Sequence, residues 1–119
     1  MTITVERRQQ IEDAVIVHAM SEARKAGWDL QGVSDGEEFH HTSTFDEALA
    51  ITNSVDECWV YFVRQHGNGT RSRVSMYLVR GNDGPDVICD HSVALGFEEV
   101  MDAVYEWAGK RFDSEVYGI

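Results

Sequence analysis

Two strand-like segments constrain the fold of this 119-residue chain more than any other feature. CWVYFVR, residues 58–64, and RVSMYLVR, residues 73–80, are dense in the β-branched and aromatic residues that favour strands. The loop sequence QHGNGTRS separates them, so the pair predicts an antiparallel hairpin. Because side chains alternate along a strand, Val74, Met76 and Leu78 share one face, which we expect to pack on the core.

Both faces of the first segment are apolar. Its alternate positions form two sets, Trp59/Tyr61/Val63 and Cys58/Val60/Phe62. A strand of this kind is either central in a sheet or presents its outer face to a partner, and the residues leave both alternatives open. Phe62 and Tyr77 are expected on an aromatic outer face, which favours a partner there.

Helices are predicted on both sides of this hairpin. Residues 6–26 have apolar side chains at three-to-four spacing, and Gly27 is a typical helix stop. Thr44 and Glu47 have the Thr-x-x-Glu spacing of a capping box, which starts a short helix that ends near Asn53. The last helix, GFEEVMDAVYEWAGKRF, has an apolar stripe of Phe97, Met101, Val104, Ala108 and Phe112.

The remaining segments complete a sheet. WDLQGV and EEFHHTS are expected to pair around an SDG turn, and PDVICDH to form a last strand after a turn at Asn82, Asp83 and Gly84. Pro85 fits only at the start of that strand. The resulting order, α-β-β-α-β-β-β-α, predicts a single α+β domain over residues 1–119. It has an antiparallel β-sheet of about four to five strands, with helices packed on one face.

Composition excludes several classes of protein. Hydrophobic residues make up 43% of the chain, enough for a packed core, so extended disorder is not expected. No segment reaches the ~18 apolar residues of a membrane span, and MTITVERRQQ lacks the apolar stretch of a signal peptide, which predicts a cytoplasmic protein. Two cysteines, Cys58 and Cys89, are too few for a disulfide framework and are expected to be buried thiols.

The formal net charge of −11 is distributed unevenly. Residues 29–57 contain eight acids and no base, residues 58–80 four arginines and no acid, and residues 81–109 seven acids and no base. Such a chain does not favour direct binding to nucleic acid or to an anionic membrane, because phosphate contacts depend on Lys and Arg. It favours a basic protein surface as its partner. The acids expected to bind that surface are Asp35, Glu37, Glu38, Asp46, Glu47, Asp56, Glu57, Glu98, Asp102 and Glu106.

Three of these acids form a row on the last predicted helix. Glu98, Asp102 and Glu106 follow at four-residue spacing, which places like charges about 6 Å apart on one face. Such neighbours cost about 0.2–0.5 kcal/mol per pair, and only Glu106 has a base, Lys110, at pairing spacing. A regular row of carboxylates resembles the phosphates of a nucleic-acid strand, and it predicts binding in the basic groove of a nucleic-acid-binding protein. A solvated helix face is the alternative.

Four arginines, Arg64, Arg71, Arg73 and Arg80, form what we call the arginine hairpin. Three alternative uses remain open for them: pairing with acids on neighbouring loops, binding the acidic surface of a second copy in a homodimer, and contacting phosphate together with His66 of the loop. Internal pairing is the commonest fate of surface arginines. The aromatic outer strand face favours the homodimer next.

Residues that could carry chemistry do not form a recognisable catalytic pattern. His40 and His41 would point to opposite faces of a strand, so they bind one metal ion only from a loop. Cys89 and His91 fall on one strand face, and a zinc site would need Cys58 and a further histidine to converge with them. No nucleotide-binding loop is present. We therefore expect no cofactor, no metal and no enzymatic activity, with a small metal-dependent or cysteine enzyme as the alternative.

The segment YLVRGNDGPDVICDHS, residues 77–92, resembles a strand–GNDG–strand segment that recurs in small uncharacterised proteins of phages and prophages. The resemblance implies a phage or mobile-element setting, in which small acidic proteins often inhibit host nucleic-acid machinery, CRISPR complexes included. Together with the segregated charge, it predicts a non-enzymatic inhibitor that blocks a nucleic-acid-binding host complex by mimicry. The alternatives are an immunity-type protein for a basic nuclease toxin, and a virion or scaffold protein that self-associates through the arginine hairpin.

Overall fold

Three helices and five strands follow one another in the predicted order, which confirms the α+β class. The computed structural model describes residues 3–82 and 84–118, so Asp83 of the predicted turn lies outside the described residues. The helices are α1 Val5–Lys25, α2 Phe45–Asn53 and α3 Glu98–Tyr117. The strands are β1 Asp29–Ser34, β2 Phe39–His41, β3 Glu57–Gln65, β4 Arg71–Val79 and β5 Ile88–His91.

The helix ends follow from local sequence. Thr44 caps α2, since its Oγ1 accepts the backbone N–H of Glu47 at 3.4 Å, as the capping-box spacing predicts. Thr4 caps α1 in the same way through the N–H of Arg7. Gly27, with φ at +91°, takes the left-handed conformation that ends α1. None of the described helices has a stretch both long and apolar enough to span a membrane.

All five strands form one antiparallel sheet in the order β2-β1-β3-β4-β5. β3 and β4 pair along their whole length, from Glu57 opposite Val79 to Gln65 opposite Arg71. β3 is therefore a central strand, one of the two alternatives that its sequence left open. The predicted last strand is shortened, because Pro85 and its neighbours form a turn before β5 begins.

Residue parity decides which face of the sheet each side chain occupies. The even-numbered residues of β3 and β4 point to an inner face that the helices cover, and Phe62 is fully buried there. Phe62 is therefore not on the outer face with Tyr77, as its sequence suggested, because the two residues have opposite parity. The core includes the residues predicted from β4 and α3: Val74, Met76, Leu78, Phe97, Met101, Val104, Ala108 and Phe112.

α1 lies between the other two helices on the inner face. On one side, the ring of His18 stacks on Trp107 of α3 with 3.8 Å between centroids. On the other, the guanidinium of Arg24 lies 5.7 Å from the ring centroid of Phe45, the first residue of α2. The helical layer therefore has the order α3-α1-α2, and α2 and α3 are on opposite sides of α1.

Candidate protein-binding surface

The β1–β2 turn is built around the carboxylate of Asp35. Its Oδ1 accepts the backbone N–H groups of Glu38 (2.7 Å) and Glu37 (2.9 Å), and its Oδ2 lies 2.9 Å from Nε2 of His40. These contacts, the Glu38 N–H first and His40 next, lower the pKa of Asp35 to about 2. Asp35 therefore holds the turn together, while Glu37 and Glu38 are exposed to solvent.

Asp56 and Glu57 lie at the same end of the sheet as this turn, because Ser34 at the end of β1 pairs with Trp59 near the start of β3. Both are exposed. Oε2 of Glu57 accepts the hydroxyl of Tyr77 at 2.5 Å, a contact that raises the pKa of Tyr77. We call this region the acidic end; its members are Asp35, Glu37, Glu38, Asp56 and Glu57. Among the described residues, no lysine or arginine forms an ion pair with any of them.

Asp46 and Glu47 do not belong to the acidic end. They lie in the first turn of α2, where the helix N-terminus favours negative charge. The guanidinium of Arg24, in the last turn of α1, lies over the ring of Phe45, so the start of α2 is beside the end of α1. The chain passes from there into the start of β1, which is at the opposite end of the sheet from the acidic end. The structure therefore divides the acids from Asp35 to Glu57 between two ends of the molecule.

Exposed acids form a row along α3, as the sequence predicts. Glu98, Asp102 and Glu106 are all exposed on the side of the helix away from the core. Nζ of Lys110 lies 2.7 Å from Oε1 of Glu106, and this hydrogen bond lowers the pKa of Glu106. Glu98 and Asp102 have no ion pair with another described residue. The carboxylates of Glu98 and Asp102 are thus held one helical turn apart on a rigid helix, and neither is neutralised by a described cation.

The alternation of side chains along the strands also places the four arginines of the arginine hairpin on two different faces of the sheet. Arg64 and Arg80 are even-numbered and point to the helical side, whereas Arg71 and Arg73 are odd-numbered and point to the other face. The guanidinium of Arg64 donates to the backbone oxygen of Ala26 at the end of α1 and lies 4.3 Å from the ring centroid of Trp28. Arg64 is therefore a structural residue that closes the end of α1.

Arg80 is the centre of a buried ionic network between α1, α2 and β4. Its side chain is 11% exposed, and its Nη1 lies 2.8 Å from Oδ1 of Asp13 and 3.5 Å from Oε1 of Glu12. Its Nη2 donates to Oγ1 of Thr52 at 2.7 Å. Glu12, which is fully buried, also accepts the backbone N–H of Gly81 at 2.7 Å. Internal pairing thus holds for Arg80, but its acids lie on α1 and not on neighbouring loops.

The odd-numbered residues of β3 and β4 form the open face of the sheet, which no helix of the described chain covers. Trp59 stacks on Tyr77 with 5.0 Å between ring centroids. The guanidinium of Arg73 lies 4.1 Å from the ring centroid of Tyr61 and 5.2 Å from that of Phe39 of β2. Half-buried aromatic rings therefore cover much of this face. The exposed arginines Arg71 and Arg73 lie at the end of the face next to the β3–β4 loop, which we call the hairpin end.

The candidate metal ligands do not converge. A bulge in β5 leaves Cys89 between Ile88, which pairs with Leu78, and Asp90, which pairs with Tyr77. Cys89 is exposed, so its expected burial is wrong, whereas Cys58 is buried as expected. The bulge also ends the predicted alternation: His91 packs against the rings of Phe97 and Tyr105, away from Cys89. The described residues contain no group of three or more histidines, cysteines or acids placed to hold a metal ion.

Comparison with known proteins adds no relative from which a function could be transferred. No protein-family model matches the chain, and neither the curated proteins nor the solved structures include a significant match. Its function is therefore argued from its own surface.

Proposed function

We propose that this protein is a non-enzymatic binding protein that blocks a nucleic-acid-binding host complex by presenting carboxylates where the complex would bind phosphates. One observation carries the proposal. Glu98 and Asp102 are exposed on α3, one turn apart and without an ion pair in the described chain, on a helix whose opposite side is fixed in the core. A rigid row of unpaired charge at regular spacing suits a basic groove, because electrostatic complementarity speeds association and selects the partner.

The acidic end supplies a second surface of the same sign. Asp35 fixes the backbone of its turn, so Glu37 and Glu38 are presented with little freedom. The net charge of −11 adds a long-range attraction to any basic partner and a repulsion of nucleic acid itself. The resemblance of residues 77–92 to phage and prophage proteins supports a mobile-element origin, an anti-CRISPR-like role and action in the host cytoplasm.

The test compares two variants that change net charge equally. In the test variant, Glu98→Lys and Asp102→Lys reverse the unpaired members of the α3 row; in the control, Glu6→Lys and Glu47→Lys reverse two exposed acids elsewhere. Tagged proteins are incubated with host lysate, washed at rising salt, and the bound proteins are identified by mass spectrometry. We expect the wild type and the control to retain a basic nucleic-acid-binding protein, and the test variant to lose it by about tenfold or more.

Competition separates mimicry from other binding. Added DNA or RNA should displace the wild-type protein from the captured partner, because both occupy the same groove. Equal retention of the partner by the test variant, with its helix content unchanged by circular dichroism, would contradict the proposal. A captured partner that is itself a nuclease toxin would identify the chain as an immunity-type protein that uses the same surface.

A further inference from the structure

The open face of the sheet has opposite charges at its two ends. Gln65 and Arg71 pair at the hairpin end, and Glu57 and Val79 pair at the acidic end. Midway between them, Tyr61 pairs with Ser75. Arg71 and Glu57 are exposed, and most of the residues between them are half-buried aromatic or aliphatic side chains, with Ser75 and the exposed Arg73 among them. The face is therefore apolar in the middle, basic at one end and acidic at the other.

Such a face is complementary to itself. A two-fold axis that lies in the interface, perpendicular to the strands at Tyr61, reverses the strand direction of the second copy and keeps β3 over β3 and β4 over β4. Arg71 of each copy then lies over Val79 of the other, and Glu57 of that other copy is on the neighbouring strand, about 5 Å to the side. The β4 position of Arg73 in each copy lies over that of Tyr77 in the other, while the guanidinium of Arg73 stays over Tyr61 and Phe39 of its own copy.

We propose that the open face is the interface of a homodimer in which two sheets pack face to face with reversed strands. Two diagonal Arg71–Glu57 contacts, each between β4 of one copy and β3 of the other, flank a central aromatic layer, and the partner is a second copy of this chain. Sheets packed in this way lie about 10 Å apart with interdigitated side chains.

Charge favours a second copy as the occupant, and the area of the face is enough for a weak dimer. A nucleic acid would meet Glu57, Asp90 and Asp29 on the same face as the two arginines, in a chain of net charge −11. The face measures about 26 Å along the nine-residue strands and about 19 Å across the sheet, so a dimer buries on the order of 1,000 Å². This is near the lower limit of specific interfaces. The dimer should therefore be concentration-dependent and salt-sensitive.

The homodimer goes beyond the proposed function and does not require it. Because all three described helices cover the inner face, face-to-face pairing of the open faces leaves the α3 row outside the interface on both copies. Each dimer would then carry two outward-facing rows. Loss of dimerisation and loss of partner binding are separate outcomes, since different residues carry them.

Sedimentation equilibrium of four proteins tests the contact: the wild type, Arg71→Glu, Glu57→Arg, and the double variant with both substitutions. Two-fold symmetry repeats the contact, so each single reversal places two pairs of like charges together. We expect each single variant to weaken dimerisation about tenfold or more, and the double variant to return within about threefold of the wild type. Raising salt from about 50 mM to about 500 mM should weaken the wild-type dimer.

Matched controls place the same charge changes outside the open face. Lys110→Glu on α3 and Glu47→Arg on α2 should leave the dimerisation constant within about threefold of the wild type. A wild-type protein that is monomeric up to about 0.5 mM at low salt overturns the proposal. A dimerisation constant that neither single reversal changes overturns the proposal as well. So does a double variant whose dimerisation constant does not return towards that of the wild type.

Discussion

Nε2 of His40 lies 2.9 Å from Oδ2 of Asp35 and closes the β1–β2 turn from the strand side. Because the carboxylate also accepts two backbone N–H groups, folding lowers the pKa of Asp35 from 3.8 to about 2. A carboxyl group whose pKa is depressed by folding stabilises the protein above its unfolded pKa. That contribution is lost as the pH falls through the folded pKa.

The first prediction is a pH-dependent effect of Asp35→Ala. At neutral pH the variant should unfold at a lower temperature than the wild type, because the turn loses its acceptor. The difference in melting temperature should shrink between about pH 5 and about pH 2, where the wild-type carboxylate is protonated. Circular dichroism melts at several pH values measure it, with the exposed neighbour Glu37→Ala as the control. A difference that is constant with pH would contradict the assignment.

Gly32→Ala should destabilise the β1–β2 edge. A Cβ at Gly32 would lie 2.4 Å from the backbone oxygen of His40 and 2.7 Å from the ring of Phe39, so the strand pair must move apart. We expect a loss of about 2 kcal/mol or more in the free energy of unfolding, measured with urea. Gly67→Ala in the β3–β4 loop, where nothing lies within 4 Å, should change it by less than about 0.5 kcal/mol. Equal effects of the two substitutions would disprove the steric explanation.

Arg80→Met should cost about 3 kcal/mol of stability, because Asp13 loses its cation and buried Glu12 keeps only Arg8, 3.8 Å away. Urea unfolding again gives the free energy. Lys110→Met, which removes the cation of an exposed pair with Glu106, should have no measurable effect. If Arg80→Met unfolds like the wild type, the network does not contribute to stability.

The two thiols should differ in reactivity. Cys58 is buried, and burial raises the pKa of its thiol to about 12, so little thiolate forms at neutral pH. Cys89 is exposed. A thiol reagent such as Ellman's should therefore label one cysteine in the native protein and both in denaturant. Cys89→Ser should remove the native signal, and rapid native labelling of that variant would show that Cys58 is accessible.

Parity and periodicity were enough to predict the fold class, the order of the elements along the chain and much of the surface, but not the order of the strands in the sheet. Alternation along RVSMYLVR identified the buried side of β4, and the helical period identified both the core stripe and the exposed row of α3. The same rules could have placed Arg64 and Arg80 on the inner face and Arg71 and Arg73 on the open face, since Arg64 and Arg80 have the parity of the buried residues. They could also have found Glu12, which follows Ile11 on the buried side of α1.

Tertiary placement could not be predicted from those rules. An extra residue at Cys89 shifts the register of β5, and no local signal marks a bulge of this kind. Asp35 and Asp46 are close in sequence, yet they lie at opposite ends of the sheet, because β2 runs between the turn of Asp35 and the start of α2. Distances between elements depend on how helices and strands pack together, and one-dimensional patterns do not specify that packing.

The network around Arg80 also has a consequence for the order of synthesis. Asp13 and Arg80 are 67 positions apart, so α1 leaves the ribosome long before the cation that pairs with Glu12 and Asp13. α1 also packs against α3, which is made later still. A nascent chain that stops before Arg80 has neither that cation nor α3 for α1 to pack against. Native structure therefore forms only after about two-thirds of the chain has been translated.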